Sequence, residues 1–137
     1  MKNLILTIAL VVSSLMGFAQ DTRTITVTVD NVVSNEGKVS FALHTKDTFM
    51  KAAPVATAES KIEDGKVSIT FEDVAPGEYA IIALHDANEN DKMDFQPNGM
   101  PKENYGTSNN VMSFGPPQYD DAKFIISDKD LDLKIRF

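Results

Sequence analysis

From residue 22 onward, apolar and polar residues alternate with a period of two. Between residues 22 and 33, Ile25, Val27 and Val29 interleave with Thr24, Thr26 and Thr28, the β-branched alternation of a half-buried strand. Asn35-Glu36-Gly37 reads as a turn, after which Val39, Phe41 and Leu43 alternate with Ser40, Ala42 and His44. A weaker extended stretch covers 55–61, behind Pro54. Glu63-Asp64-Gly65 turns the chain into Val67, Ile69 and Phe71, and Ala75-Pro76-Gly77 ends that run. Residues 79–84 are apolar on both faces, which predicts a strand at the centre of a sheet. Stretches 122–126 and 131–137 close the series. In the last, Leu131, Leu133, Ile135 and Phe137 share the inward face.

About seven short strands, with turns every ten or so residues, predict an all-β fold. The expected form is an antiparallel β-sandwich, a class that includes the immunoglobulin-like arrangement. Residues 47–53 have room for one helical turn. A single long loop, 87–121, breaks the rhythm: 35 residues rich in Asn, Asp, Gly and Pro, with Phe95, Tyr105, Phe114 and Tyr119 scattered along it. Compact domains seldom carry a loop beyond about 15 residues unless it is functional or disordered. Its apolar residues predict that it packs onto the sandwich.

The first residues have a different character. Lys2 supplies a positive start, residues 4–18 are mostly apolar, and Gly17 and Ala19 stand where a signal peptidase reads small side chains. The apolar run is shorter than the roughly 20 residues of a spanning helix. The expectation is a signal peptide over 1–19, cut before Gln20, and a single domain over 20–137. The protein is then exported, to the periplasm or the extracellular space, with no membrane span after cleavage.

Composition narrows the chemistry. The chain has no cysteine, which removes disulfides, thiolate zinc sites, iron–sulfur clusters and cysteine nucleophiles. A formal charge of −7 argues against nucleic acid, which calls for a cationic face. Losing Lys2 with the signal makes the remainder more acidic still.

The long loop opens on Asp86-Ala87-Asn88-Glu89-Asn90-Asp91-Lys92-Met93-Asp94. Oxygen side chains fall at positions 1, 3, 5 and 9 of an EF-hand-type loop, and the Lys92 carbonyl would serve position 7. Calcium takes six to eight hard oxygen ligands, and a short loop converges them only by curling tightly. Asp86, Glu89, Asp91 and Asp94 would otherwise repel one another, with Lys92 alone beside them. Position 6, usually Gly, is Asp91, a residue type that tolerates the left-handed region. Position 12, usually a bidentate Glu, is Pro97. Asp86, Asn88, Asn90, Lys92 and Asp94 therefore need water or a remote carboxylate, Glu103 or Asp120, to complete a Ca2+ site. The alternative is a solvated acidic turn without metal.

These residues also carry a resemblance. His85-Asp86-x-Asn88-x-Asn90, then Asp94, then Gly99-x-Pro101-x-Glu103-x-Tyr105-Gly106-x-Ser108-Asn109 resembles the bacterial domain-of-unknown-function 2141 family. Upstream, Phe71-x-x-Val74-x-x-Gly77-x-Tyr79 is similar to transthyretin-like and collagen-binding B-type sandwiches. The resemblance implies an exported all-β protein, with Phe71 and Tyr79 packed across a core and Gly77 turning the chain between strands. It implies no particular activity. Where the family commonly has Gly after the second Asn, this chain has Asp91.

Enzymatic signals are sparse. There are two histidines, His44 and His85, and the sequence has no His-Glu-x-x-His, no Gly-x-Ser-x-Gly and no phosphate loop. A small hydrolase using His85 with Asp86 or Glu103 is one alternative, although strict alternation puts His85 and Asp86 on opposite faces. Hydroxyisourate hydrolases share the transthyretin-like frame but end in Tyr-Arg-Gly-Ser; this chain ends Leu133-Lys134-Ile135-Arg136-Phe137. A carbohydrate- or protein-binding module of the envelope, without metal, is the other alternative. With no Trp and three Tyr, it would offer a sugar little aromatic surface.

Overall fold

The computed structural model describes residues 21–111 and 115–137; the expected signal segment lies outside them. Eight strands form: β1 Arg23–Val29, β2 Lys38–His44, β3 Ala56–Lys61, β4 Val67–Val74, β5 Gly77–Asp86, β6 Tyr105–Thr107, β7 Phe124–Ile126 and β8 Leu131–Lys134. They make two sheets, β4-β1-β8 and β3-β2-β5-β6, with β7 also paired to β5. The all-β sandwich is borne out.

The inward alternation builds the core. Ile25, Val27 and Val29 of β1 meet Val39, Phe41 and Leu43 of β2, with Val67, Ile69 and Phe71 of β4 completing the layer. Fully burying a side chain of this size contributes about 1.5–3 kcal/mol, so period two in the sequence decides which face turns inward. Phe71 and Tyr79 join the same cluster, and the Tyr79 hydroxyl donates to the Ala75 carbonyl at 2.8 Å.

β5 is the central strand, as its two apolar faces predict. Gly77–Tyr79 pair with β7, Ile82–Leu84 with β6, and the run from Ala80 to Asp86 with β2. Its odd face, Ile81 and Ala83, enters the main core. Its even face begins with Ala80, which packs with Phe49, Ala122, Ile82 and Tyr119 in a second, smaller cluster. Tyr119 and Ala122 bound a single helical turn, α1 (Tyr119–Ala122).

Four details depart from the sequence expectation. β6 is a strand inside the expected loop, too short and too Gly-containing to signal itself. Gly106 is required there by close approach: a Cβ would stand 2.3 Å from the Arg136 carbonyl oxygen and 2.6 Å from Ile135 Cγ2. α1 takes the start of the strand expected from 122, because Ala122 packs against Phe49 and Ala80. β1 stops at Val29, and Val33 is 76% exposed. β8 runs parallel to β1, since the bend at 127–130 carries the chain from one sheet to the other and makes no hairpin.

Side-chain amides continue β8 beyond its ladder. Asn31 donates to the Phe137 carbonyl at 2.9 Å and accepts its N–H at 3.1 Å. Asn110 does the same across Lys134 O and Arg136 N–H, both at 2.8 Å. The expected inward row therefore holds to the last residue, with Leu131, Leu133 and Phe137 packed on the core and Ile135 inside it.

Candidate metal site

Asp86 ends β5 on the face opposite His85 and is fully buried. Its Oδ1 accepts the Asn90 N–H at 3.1 Å and its Oδ2 the Asp91 N–H at 2.8 Å. A buried carboxylate needs such partners, and here they curl the loop around it. The curl requires left-handed backbone at Glu89 (φ 54) and Asp91 (φ 61). Asp91 thus adopts the conformation expected of position 6.

The remaining acids and amides close over that root. Asn88 Nδ2 donates to Asp94 Oδ2 at 2.7 Å, and Asn90 Nδ2 reaches both Asp94 oxygens at 2.8 and 3.0 Å. Asn90 Oδ1 accepts the Lys92 N–H at 3.0 Å; the Lys92 side chain is exposed. Glu103 comes back to the loop from nine residues beyond Asp94. Its Oε2 accepts the Ala87 N–H at 3.0 Å and its Oε1 the Asp94 N–H at 3.2 Å. Between Asp94 and Glu103 the chain makes a hairpin-like excursion, with Phe95 bridged to Pro101 and Gln96 N–H donating to Met100 O at 2.7 Å. Asp120 lies elsewhere, beside Lys123 at 3.5 Å.

The two carboxyl groups are tuned in opposite directions. The Asn88 and Asn90 amides hold Asp94 below the usual carboxylate range. Burial pushes Glu103 up, and the neighbouring Asp94 carboxyl adds to the rise. Among the described residues, no three His, Cys, Asp or Glu side chains converge as metal ligands. The set brought together is a carboxylate pair, Asp94 and Glu103, with two Asn amides between it and Asp86.

The counter-charge comes from outside the loop. Lys38 Nζ lies 2.5 Å from Asp91 Oδ1 and 2.8 Å from Glu59 Oε2, and these two acids raise its pKa. Lys92, the only base the local sequence offers, makes no ion pair among the described residues. Lys38 was hidden because it is 53 residues from Asp91 and reaches it through strand register, Lys38 standing opposite Asp86. Alternation alone does not reveal register.

Both histidines serve the frame. The His85 ring points to the core side, its Nε2 2.8 Å from the Glu36 carbonyl and its plane stacked on Phe137 at a centroid distance of 6.4 Å. It is not brought to the Asp86 or Glu103 carboxylate, so the geometry of the hydrolase alternative is not assembled. His44 Nδ1 contacts Thr48 Oγ1 at 3.1 Å, and burial lowers its pKa.

The second half of the long motif braces the fold. The buried Ser108 Oγ accepts the Ile81 N–H at 3.0 Å and donates to the Ala122 carbonyl. Asn109, left-handed at φ 69, donates to Asp121 O at 3.1 Å and Lys123 O at 2.8 Å. The motif therefore divides: residues 86–103 build the acidic loop, and residues 106–110 pin α1 and the last strands to β5.

No curated protein matches the chain. Among solved structures it is similar to the pilus-presented adhesin Cpa, at 12% identity and a TM-score of 0.28, over 87% of this chain and 27% of that one. The chain thus spans well under half the adhesin's length. A family model described as an uncharacterized protein conserved in bacteria, DUF2141, matches residues 27–134, from the middle of β1 to the end of β8. By that match this chain belongs to the bacterial DUF2141 family.

Proposed function

We propose that this protein is an exported, cell-envelope binding module whose loop 86–94, closed by Glu103, takes up one calcium ion. The observation that carries the reading is the pairing of Asp94 with Glu103. Two carboxylates side by side repel unless a proton or a cation lies between them; burial raises the Glu103 pKa most, and this repulsion adds to the rise. A hard divalent cation relieves it more fully at neutral pH. Asn88 and Asn90, whose amide nitrogens now face Asp94, would turn their Oδ1 atoms to the ion. The Lys92 carbonyl and water complete an oxygen set, with Asp86 as its buried negative base. Export rests on the character of residues 1–19, and partners of envelope type, protein or glycan, follow from that location.

A second reading has its own support: the acids are already satisfied by amides, by backbone N–H groups and, through Asp91, by Lys38. In that reading the loop is a self-braced acidic turn.

Thermal melts of the processed chain in EDTA and in millimolar calcium separate the two. An ion bound only by the folded state stabilises it by about 1.4 kcal/mol at ten times Kd, a rise of a few degrees. Asp94→Ala should remove the increment and Lys92→Ala should leave it, since only the Lys92 backbone is used. Superimposable melts with and without calcium leave the self-braced turn as the answer.

A further inference from the structure

The excursion between Asp94 and Glu103 carries chemistry of its own. At its tip Gln96-Pro97-Asn98-Gly99 is a tight turn, closed by the Gly99 N–H donating to the Gln96 carbonyl at 2.9 Å. Pro97 stands where a turn pre-sets φ, and Gly99 takes a left-handed φ of 84°. Residues 95–100 are all exposed, so water reaches the tip. Of the asparagines in the sequence, Asn98 alone is followed by glycine. A backbone nitrogen lies close enough to the preceding side-chain carboxamide to close a five-membered ring on it. A Cβ on the residue that supplies the nitrogen crowds that closure, and at Gly99 there is none.

The turn also poises the carboxamide. Asn98 Oδ1 accepts the Met100 N–H at 3.1 Å, an Asx turn whose ring contains the Gly99 nitrogen. The side chain is therefore folded back along the segment that would attack it. The Met100 N–H polarises the carbonyl and stays on its oxygen as negative charge develops there, as an oxyanion donor does. Asn98 Nδ2 has no acceptor among the described residues, so its departure breaks no contact. Asn31, Asn88, Asn90, Asn109 and Asn110 differ on both counts: each donates through Nδ2, and each precedes a residue with a Cβ. The Gly99–Gln96 hydrogen bond opposes the reaction, but it is a single exposed bond at a loop tip, where local opening is easy.

We propose that Asn98-Gly99 is a self-modifying site, which reacts with water and needs no enzyme or cofactor. The Gly99 nitrogen bonds to Asn98 Cγ, the Cγ–Nδ2 bond breaks, and the Gly99 amide proton leaves with Nδ2 as ammonia. Water then opens the cyclic imide at either carbonyl. One opening leaves aspartate at position 98. The other leaves isoaspartate, whose backbone runs through the former side chain and lengthens the turn. The site uses neither the calcium reading nor its residues.

The test is peptide-mapping mass spectrometry of the processed chain, aged in EDTA at neutral and at mildly alkaline pH. The peptide that holds Asn98 should gain the mass of O replacing NH before any other asparagine peptide does. It should split into two chromatographic forms, one of them labelled by an isoaspartyl methyltransferase. The gain should quicken with pH, because the attacking nitrogen must lose its proton. In the native chain the rate should stay within about tenfold of the rate in urea, a barrier difference of at most about 1.4 kcal/mol. Gly99→Ala should slow the change about tenfold or more, in urea as well as in buffer, so that a rearranged turn is not the cause. Another asparagine reacting first, a native rate more than about tenfold below that in urea, an indifferent Gly99→Ala chain, or no isoaspartate overturns the proposal.

Discussion

Gly37 lies flat against the root of the acidic loop. A Cβ added to it would stand 2.2 Å from the Asp86 carbonyl oxygen and 2.6 Å from that of Ala87, and its φ of 71° is already left-handed. The turn before β2 thus seats the end of β5, one residue ahead of the Lys38–Asp86 register pair. Strain and overlap add at this position. Gly37→Ala should destabilise the fold by about 2–4 kcal/mol, read as a shift of the urea midpoint. A midpoint within about 0.5 kcal/mol of the parent would mean that the two backbones are not in contact.

Asp86 is expected to be structural even without metal. Two backbone N–H groups end on its fully buried carboxylate. Asp86→Ala in EDTA should cost about 2–4 kcal/mol, because each orphaned donor costs roughly 1–2 kcal/mol. Asp86→Asn keeps one carbonyl acceptor and should fall between. Equal stability of Ala and parent in urea denaturation would remove Asp86 from its role as the hub of the loop.

Ser108 replaces a missing rung of the sheet. β6 ends at Thr107, and the Ser108 hydroxyl then ties Ile81 N–H to the Ala122 carbonyl. Ser108→Ala leaves both groups unpaired and should cost about 1–3 kcal/mol. Amide exchange of Ile81 should accelerate along with the loss, since the Ser108 hydroxyl that accepts its N–H is gone. Unchanged protection at Ile81 would show that another acceptor serves it.

The sequence was legible where one residue carries its own signal. Alternation in β1, β2 and β4 reads directly as an inward face, because a one-residue slip would turn Ile25, Val27 and Val29 outward. The double apolar face of β5 likewise marks its central place. The Asx spacing from Asp86 to Asp94 gives the curl, down to the left-handed Asp91. What stays hidden depends on distant partners. β6 is a strand only because β5 offers Ile82–Leu84 as its edge. Lys38 becomes the counter-ion of Asp91 through register. Ser108 and Asn109, visible in the motif, become intelligible once Ala122, Asp121 and Lys123 are known to lie beside them.

Acid should act on this fold through two groups of opposite sign. Burial lowers the His44 pKa below 6.5, so the unfolded chain binds the extra proton first. Stability from His44 is then present above about pH 6.5 and is lost as pH falls below it. Glu103 is raised above 4.5, first by burial and then by Asp94. Its folded form binds the proton first, so its contribution is present in acid and is lost as pH rises through the raised pKa. The two contributions have opposite signs on acidification. His44→Phe removes the first, so its melting temperature should fall less than the parent's as the pH drops below 6.5. Glu103→Gln removes the second, and its melting temperature should fall more steeply than the parent's as the pH drops through the raised Glu103 pKa. Melts of the three chains at half-unit pH intervals check both slopes. If His44→Phe loses as much as the parent between pH 7.5 and 5.5, the acid response does not come from His44.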